Sequence, residues 1–159
     1  MKIPRRRRLE KKTDYVARLA LLKSGKARIV VRRTNRYIIA QLVNSNIAQD
    51  KVIVGITSKN LLSNGWQKEH IGSLKSLPAS YLTGYLLGKL AQKHHIKEAI
   101  FDIGMSRSFP RSRFYAVLKG AIDAGIKVPF KKEMLPTEED FKRINKLGQI
   151  IDKIKSNIK

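Results

Sequence analysis

The chain has 159 residues, of which 34 are Lys or Arg and 12 are Asp or Glu, so its net charge at neutral pH is +22. This length and an apolar content of 42% predict one compact domain with a hydrophobic core. The absence of cysteine excludes disulfides and thiolate metal sites, and residues 1–20 hold no apolar stretch typical of a secretory signal. We therefore expect an intracellular protein.

The positive charge is concentrated in two segments. Residues 1–36 hold 14 basic and 2 acidic residues, and residues 106–132 hold 7 basic and 1 acidic residue. A chain charged in this way repels itself unless a polyanion accompanies it. The distribution predicts a folded domain that presents two basic surfaces to nucleic acid.

Residues 1–12 are predicted to form an extended basic arm, because they contain too few apolar side chains to fold alone. A guanidinium group donates two hydrogen bonds to one phosphate, so this arm suits RNA, although a solvated tail is the alternative interpretation. Its candidate ligands are Arg5, Arg6, Arg7, Arg8, Lys11 and Lys12. Thr13 as N-cap and Gly25 beyond the end then predict a short amphipathic helix that contains Tyr15 and exposes Arg18.

The next two runs, Ala27–Arg33 and Arg36–Val43, are rich in β-branched residues and predict a hairpin with Thr34 and Asn35 as a two-residue loop. This register places Arg33 opposite Arg36. One face is then apolar and faces the core, with Ala27, Ile29, Val31, Ile38, Ala40 and Leu42. The second face is mixed, with Arg28, Val30, Arg32, Tyr37, Ile39 and Gln41.

The second face of this hairpin suits RNA. Its arginines can reach phosphates, Tyr37 can stack on a base, and Gln41 can bond to a base edge or a ribose. The alternative is an ordinary solvated sheet face.

A third strand is predicted at Lys51–Thr57, after a turn at Asn44–Asp50, and Thr57, Ser58 and Lys59 are candidate contacts at its end. The following polar segment contains Trp66, which we expect to be packed. A buried helix is predicted from Ala79 to His94, preceded by Pro78. It is too short an apolar run to span a membrane, which takes roughly 18 to 20 residues.

Gly84 and Gly88 lie one turn apart in this helix, and interior glycines cost stability. They predict that another backbone, expected to be a sheet, approaches closely there. A short strand follows at Ala99–Phe101.

The segment from Met105 to Tyr115 interleaves arginines with hydroxyl and aromatic residues and leads into a helix predicted from Ser112 to Ala124. Guanidinium and hydroxyl groups beside a helix N-terminus are typical of an anion site. The candidate ligands are Arg107, Ser108, Arg111, Ser112 and Arg113.

A last amphipathic helix is predicted after Pro136 and should dock on protein. Its apolar positions are Phe141, Ile144, Leu147, Ile151 and Ile154.

Together these elements predict an α/β fold with a small sheet. The sheet combines an antiparallel three-strand meander with a further strand reached through helical crossovers, and helices pack on one face. We divide the chain into a basic arm (1–12), an α/β RNA-binding domain (13–129) and a C-terminal helical extension (130–159).

Catalytic and other binding functions are less well supported. A metal-dependent nuclease needs several converging carboxylates, and residues 99–132 offer only Asp102 and Asp123 among seven basic groups. His94 and His95 have no cysteine or carboxylate at ligand spacing. The runner-up, from another functional class, is a basic DNA-compacting protein. We expect no catalytic residue, metal or cofactor.

Several ordered segments resemble the large-subunit ribosomal protein L-eighteen family in its archaeal form. They include RRRR-x3-KTDY from Arg5, SGKAR from Ser24, VVRRTNRYIIAQ from Val30, SLPASYLTGYLLGKLA ending at Ala91, and FYAVLKGAIDAGIKVP from Phe114. The resemblance covers nearly the whole chain.

The resemblance implies a non-catalytic protein of the cytoplasmic ribosome that binds 5S rRNA and, with the universal L-five protein, anchors it in the central protuberance. It implies no membrane association and no homo-oligomer. Carried over by position, the RNA contacts fall on the arm with Tyr15, the hairpin residues from Arg32 to Tyr37 with Gln41, the segment Thr57–Lys59 and the loop Arg107–Arg113. Compared with the bacterial form, residues Phe130–Lys159 are an addition. For this addition, contact with protein and contact with 23S rRNA both stay open.

Overall fold

The computed structural model describes residues 5–10, 12–46, 49–142 and 148–158. The strands of this part form one mixed sheet: β1 (Ala27–Arg33), β2 (Ile38–Asn46), β3 (Gln49–Thr57) and β4 (Ala99–Asp102). The strand order is β3-β2-β1-β4, with β1 to β3 an antiparallel meander and β4 parallel to β1. The predicted α/β class and sheet composition are confirmed.

Helices precede and follow the strands in the described part of the chain. They are α1 (Arg6–Leu9), α2 (Tyr15–Lys23), α3 (Leu77–Lys93), α4 (Arg113–Asp123), α5 (Glu138–Lys142) and α6 (Gly148–Asn157). Short 3₁₀ turns lie at Ser58–Asn64, Lys68–Ser73 and Lys132–Met134. The apolar faces of α3 and α4 share one core with the predicted inner face of the hairpin, as expected for helices packed on one side of the sheet. No helix in the described part is long and apolar enough to cross a membrane.

The hairpin faces were predicted correctly, but the register was not. Arg33 pairs with Ile38 and not with Arg36, so residues 34–37 form a four-residue loop. The reason is local bonding: the Thr34 amide donates to the Tyr37 carbonyl at 2.9 Å, and the Thr34 hydroxyl accepts from the Tyr37 amide at 2.9 Å. A shift of two residues leaves each side chain that stays in the ladder on its predicted face, and Ile29, Val31, Ile38, Ala40 and Leu42 are fully buried.

Most of the segment predicted as a turn, Asn44–Asp50, is strand. Strands β2 and β3 continue through this segment to the pair Asn46 and Gln49. A β-bulge between Leu42 and Val43 leaves one extra residue on β3, because Leu42 pairs with Val54 and Val43 with Val52. Because the ladder is longer than predicted, Asp50 lies in β3, where it forms ion pairs with Arg18 and Arg28.

The two glycines of α3 mark a close backbone approach, as predicted, but the partner is a helix and not a sheet. A Cβ atom at Gly84 would overlap the Val117 carbonyl of α4, and one at Gly88 would clash with the Ala124 side chain. From the other side, a Cβ atom at Gly120 would overlap the Tyr81 carbonyl of α3. Because glycines occupy the contact positions of both helices, α3 and α4 pack backbone to backbone.

A second core cluster lies under the C-terminal helices. Phe141 of α5 packs edge to face on Tyr81 with ring centroids 5.3 Å apart, and Ile151 and Ile154 of α6 are buried. The cluster also holds Trp66, whose indole nitrogen donates to the His70 carbonyl at 3.0 Å. The last helix thus docks on protein, and Trp66 is packed, as predicted. The predicted positions Ile144 and Leu147 lie outside the described residues.

The N-terminal segment differs from the prediction of an extended arm, because Arg6–Leu9 form one helical turn. Arg6 donates to Glu10 at 2.7 Å, and this i, i+4 ion pair supports the turn. The next helix begins one residue later than predicted: Asp14 and not Thr13 is its N-cap, and its carboxylate accepts from the amides of Val16 and Ala17. No residue of α2 is buried.

Candidate nucleic-acid interface

Four chain segments meet where β1 and β4 end, β2 begins and β3 ends; we call this the hairpin end of the sheet. The pairing of Arg33 with Ile38, of Ile39 with Thr57 and of Val30 with Asp102 places these strand ends side by side. The exposed cations of the hairpin end are Arg33, Arg36, Lys59, Arg107 and Arg111. Most of the predicted RNA ligands outside the arm therefore come together at one end of the sheet.

The hairpin loop is a rigid support for the two arginines beside it. The Thr34 hydroxyl both accepts from the Tyr37 amide and donates to the Tyr37 carbonyl, each at 2.9 Å. The Lys75 ammonium donates to the Asn35 carbonyl at 2.9 Å and ties the loop to the segment before α3. Thr34 and Asn35 thus stabilise the loop, while Arg33 and Arg36 extend into solvent.

Tyr37 was predicted to lie on the second face of the hairpin beside Gln41. It lies instead in the loop, and its half-buried ring packs against the second core cluster, which contains Leu61 and Trp66. Because Tyr37 has left the β-ladder, strand alternation no longer fixes its direction. A base could lie only on the part of the ring that remains exposed.

Arg28 was predicted to contact RNA, but its guanidinium is buried within the chain, with 2% of the side chain exposed. It donates to Asp102 at 2.9 Å, and to Asp50 at 2.7 Å and the Ser45 hydroxyl at 2.9 Å. Asp50 also pairs with Arg18 of α2 at 2.8 Å. A buried arginine that is already paired with two carboxylates is not accessible to a phosphate, so we leave Arg28 out of the proposed interface.

The charge of Asp50 is favoured by this network. Partial burial alone would raise its pKa, but hydrogen bonds from Ser45 and Arg28, together with the charges of Arg28 and Arg18, lower the pKa of Asp50 below its ordinary value of 3.8. A carboxylate whose pKa is lowered on folding stabilises the folded state above its unfolded pKa and loses that contribution as the pH falls.

We therefore expect Asp50→Asn to destabilise the protein at pH 7 and to do so progressively less as the pH falls below about 4, towards the lowered pKa of the folded state. Glu98→Gln is the matched control: it removes one negative charge from an exposed carboxylate paired with Lys26, and it should have little effect at any pH. Urea unfolding of both variants between pH 3 and pH 7 measures the difference. A constant gap between wild type and Asp50→Asn across this range would contradict the role of the Asp50 charge.

The rest of the second face is partly covered. The Arg32 guanidinium lies over Gly104, where an added Cβ atom would come within 2.9 Å of Arg32 Cζ. It donates to the Asp102 carbonyl at 3.2 Å and keeps 44% of its side chain exposed. Gln41 is half-buried beside Gly55 of β3. Arg32 and Gln41 are thus accessible from one side only.

Of the predicted contacts Thr57, Ser58 and Lys59, only Lys59 is exposed. The Thr57 hydroxyl bonds to Asn60 at 2.8 Å in a capping box, and the buried Ser58 hydroxyl accepts from the Ile38 amide at 3.1 Å. Both hydroxyl groups are therefore engaged in hydrogen bonds within the protein. Ser58 is left out of the interface for this reason.

The loop after β4 carries the second basic segment. Ser108 and Tyr115 share a hydrogen bond of 2.6 Å, which ties the loop to α4. Arg111 adopts a left-handed conformation with φ of 55°, and its amide donates to the Met134 carbonyl at 2.9 Å. The loop thus holds its arginines in a defined arrangement. Arg107, Arg111 and Arg113 line one groove with Arg33.

The arm is ordered by its own side chains. Arg6 and Lys12 both pair with Glu10, at 2.7 and 2.8 Å, and these contacts lower the pKa of Glu10. Arg7 donates to the Thr13 hydroxyl at 3.0 Å, and the Arg5 guanidinium lies 4.7 Å from the centroid of the Tyr15 ring. All four arginines stay exposed. Tyr15 thus supports the arm, and the predicted ligand Lys11 lies outside the described residues.

The two carboxylates considered for a nuclease are separate. Asp102 pairs with Arg28 and Arg32, whereas Asp123 accepts from the Tyr81 hydroxyl at 2.7 Å. Within the described ranges no three His, Cys, Asp or Glu side chains form a group that could hold a metal ion.

Sequence reasoning missed some residues of the site. Asp50 and Asp102 neutralise Arg28, the Ser45 hydroxyl accepts a hydrogen bond from it, and Ser76 lines the groove with the loop arginines. The positions of Asp50 and Asp102 could have indicated these partners, because they are two of the few acidic residues in residues 37–105 and both lie close to predicted strands.

The structure is that of a basic α/β protein whose exposed cations gather at the arm and at the hairpin end, a distribution typical of nucleic-acid-binding proteins. A sequence model of the family described as "Ribosomal large subunit proteins 60S L5, and 50S L18" matches residues 1–98. The chain belongs to this family of large-subunit ribosomal proteins.

Similar relatives are the archaeal proteins named large ribosomal subunit protein uL18. The protein of Korarchaeum cryptofilum is 54% identical over 138 residues, which is 87% of this chain and 69% of the relative. Those of Methanoculleus marisnigri and Methanothermobacter thermautotrophicus are 47% and 44% identical, over 88% and 86% of this chain and 78% and 69% of the relatives. The resemblance to the archaeal form is confirmed. As a member of this family, the chain is a structural protein of the large ribosomal subunit and not an enzyme.

Proposed function

We propose that this chain binds 5S rRNA and, together with the universal L-five protein, anchors it in the central protuberance of the large subunit. The proposal is supported by membership of the large-subunit family and by the gathering of exposed cations at the arm and at the hairpin end of the sheet. Contacts with 23S rRNA and with other large-subunit proteins belong to the same proposal.

The proposed RNA ligands are the cations of the arm, the hairpin, Lys59 and the loop that remain exposed or half-buried, together with the half-buried Gln41. They are Arg5, Arg6, Arg7, Arg8 and Lys12 of the arm, Arg32, Arg33, Arg36 and Gln41 of the hairpin, Lys59, and Arg107, Arg111 and Arg113 of the loop. The observation that carries the proposal is the hairpin end, where cations from segments far apart in the chain share one surface. Phosphate contacts supply affinity, and the shape of the folded RNA supplies selectivity.

Reconstitution of archaeal large subunits from purified RNA and proteins tests the proposal. Omission of this chain should leave most 5S rRNA outside the particle, and adding it back should restore incorporation. A variant with glutamine at Arg33, Arg36 and Arg107 should restore it poorly, whereas one with glutamine at the exposed Lys68, Lys93 and Lys97, which loses the same charge, should restore it fully. Equal 5S rRNA incorporation with and without the chain would refute anchoring.

A further inference from the structure

A groove of about 730 Å³ opens at the hairpin end of the sheet, beside the N-termini of α3 and α4. Its walls carry the four arginines Arg33, Arg107, Arg111 and Arg113. They come from the end of β1, the loop after β4 and the first turn of α4. No carboxylate is among the described residues that line it. Guanidinium groups gathered in this way repel one another unless an anion lies between them.

These arginines have few partners within the protein. Arg33, Arg107 and Arg113 form no ion pair or side-chain hydrogen bond with any other described residue. Arg111 has one distant ionic partner, Asp140, with 3.8 Å between Nη1 and Oδ1, and 57% of its side chain is exposed. Their donors are therefore available to a ligand.

The groove also contains an unpartnered buried hydroxyl. Ser112 is the N-cap of α4 but makes no side-chain capping bond, and its Oγ is buried with no hydrogen-bond partner among the described residues. Buried polar atoms in folded proteins nearly always have a partner. A phosphate oxygen in the groove would accept from free amides at the start of the helix, where the helix dipole also favours negative charge, and a rotation of the Ser112 side chain would add its hydroxyl as a donor.

An aromatic ring lies at the same place. Phe109 lines the groove and is 58% exposed, although a phenyl ring gains by burial. Exposed aromatic rings beside phosphate-binding arginines are the usual platform on which an unpaired base stacks.

We propose that this groove binds one backbone phosphate of the RNA, with the base of an adjoining unpaired nucleotide stacked on Phe109. The inference rests on the proposed function, since the RNA is taken to be 5S rRNA. The nucleotide is unpaired, because a base inside a duplex cannot leave its stack to lie on a protein ring without loss of pairing. The groove thus selects a bulge, loop or end of the RNA.

Phosphate-ethylation interference on 5S rRNA, combined with binding titrations, tests the phosphate. The variant is Arg107→Gln with Arg113→Gln, and the control is Lys93→Gln with Lys97→Gln, which removes the same charge from exposed positions outside the groove. We expect the groove variant to bind about tenfold more weakly than the control. Its log-log salt slope should fall by about 0.7 to 0.9, the value for one phosphate and not two. One ethylated phosphate should cease to interfere.

Equal affinities and identical interference patterns for groove variant and control would overturn the groove inference and leave 5S rRNA binding intact. If instead the wild type shows no preference for 5S rRNA while the groove variant loses affinity for every RNA, the proposed function fails and the groove stands as a general RNA phosphate site.

Substitutions of Phe109 test the stacked base. Phe109→Ala should weaken binding about tenfold with an unchanged salt slope, and Phe109→Trp should bind at least as tightly as wild type. An equal loss in both variants would refute the stacking role of the ring.

Discussion

A chain with glutamine at Arg5, Arg6, Arg7 and Arg8 is expected to bind 5S rRNA on the order of 100-fold more weakly at about 0.15 M salt, and its salt slope should fall by roughly 3. Each arginine that neutralises a phosphate releases a counterion, and the four exposed side chains lie together, with Arg5 as the N-cap and the other three on the helical turn Arg6–Leu9. The loss should shrink as the salt concentration rises, because counterion release then contributes less. Titrations at several salt concentrations measure both quantities.

The matched control carries glutamine at Lys93, Lys97, Lys131 and Lys132, four exposed cations outside the proposed interface. It loses the same total charge, so it separates local contacts from the general field of the protein. We expect its slope to stay close to that of wild type. Equal losses in the two variants would show that net charge, and not the arm, determines the affinity.

Gly84→Ala is expected to destabilise the fold by about 3 kcal/mol or more. The added methyl group would overlap the Val117 carbonyl of α4, and neither backbone can move without separating the two central helices. The same helices present their N-termini to the arginine groove, so their separation should also weaken RNA binding. Urea unfolding measures the stability.

Gly72→Ala is the control for this substitution, since nothing lies within 4 Å of a Cβ atom built at Gly72. It should change the stability by no more than about 0.5 kcal/mol. Equal unfolding midpoints for the two variants would mean that α3 and α4 are not in backbone contact.

The fold could be predicted where one local pattern decided it. Strict alternation defined the two faces of the hairpin, and burial of Ile29, Val31 and Ile38 confirms them. The register depended on hydrogen bonds of Thr34, which no alternation pattern contains. Gly84 indicated that another backbone packs closely on α3, but it did not indicate which type of element, because the space left by a missing side chain accommodates a strand or a helix.

The exposure of candidate ligands could be predicted where charge alone decided it, as for the arginines of the arm and for Arg107 and Arg111 of the loop after β4. The sequence prediction failed at Arg28, because the carboxylates that pair with its guanidinium lie 22 and 74 residues away in the chain. The prediction also failed at Tyr37, because this residue lies outside the β-ladder and its ring packs on a core cluster formed by segments distant in the chain. Which cations share a groove depends on tertiary structure, so the meeting of Arg33 with the loop arginines was not visible in the sequence.

Selective binding of one folded RNA by these cationic surfaces is measured most directly by competition. Labelled 5S rRNA is bound to the full chain and displaced by unlabelled 5S rRNA, by an unrelated structured RNA of similar length, and by duplex DNA, all at matched salt. Because shape adds to the phosphate contacts that all polyanions share, 5S rRNA should compete at least about 1000-fold better than the other two at physiological salt. Competition at equal concentrations by all three would contradict a specific ribosomal RNA site and would favour a general polyanion binder.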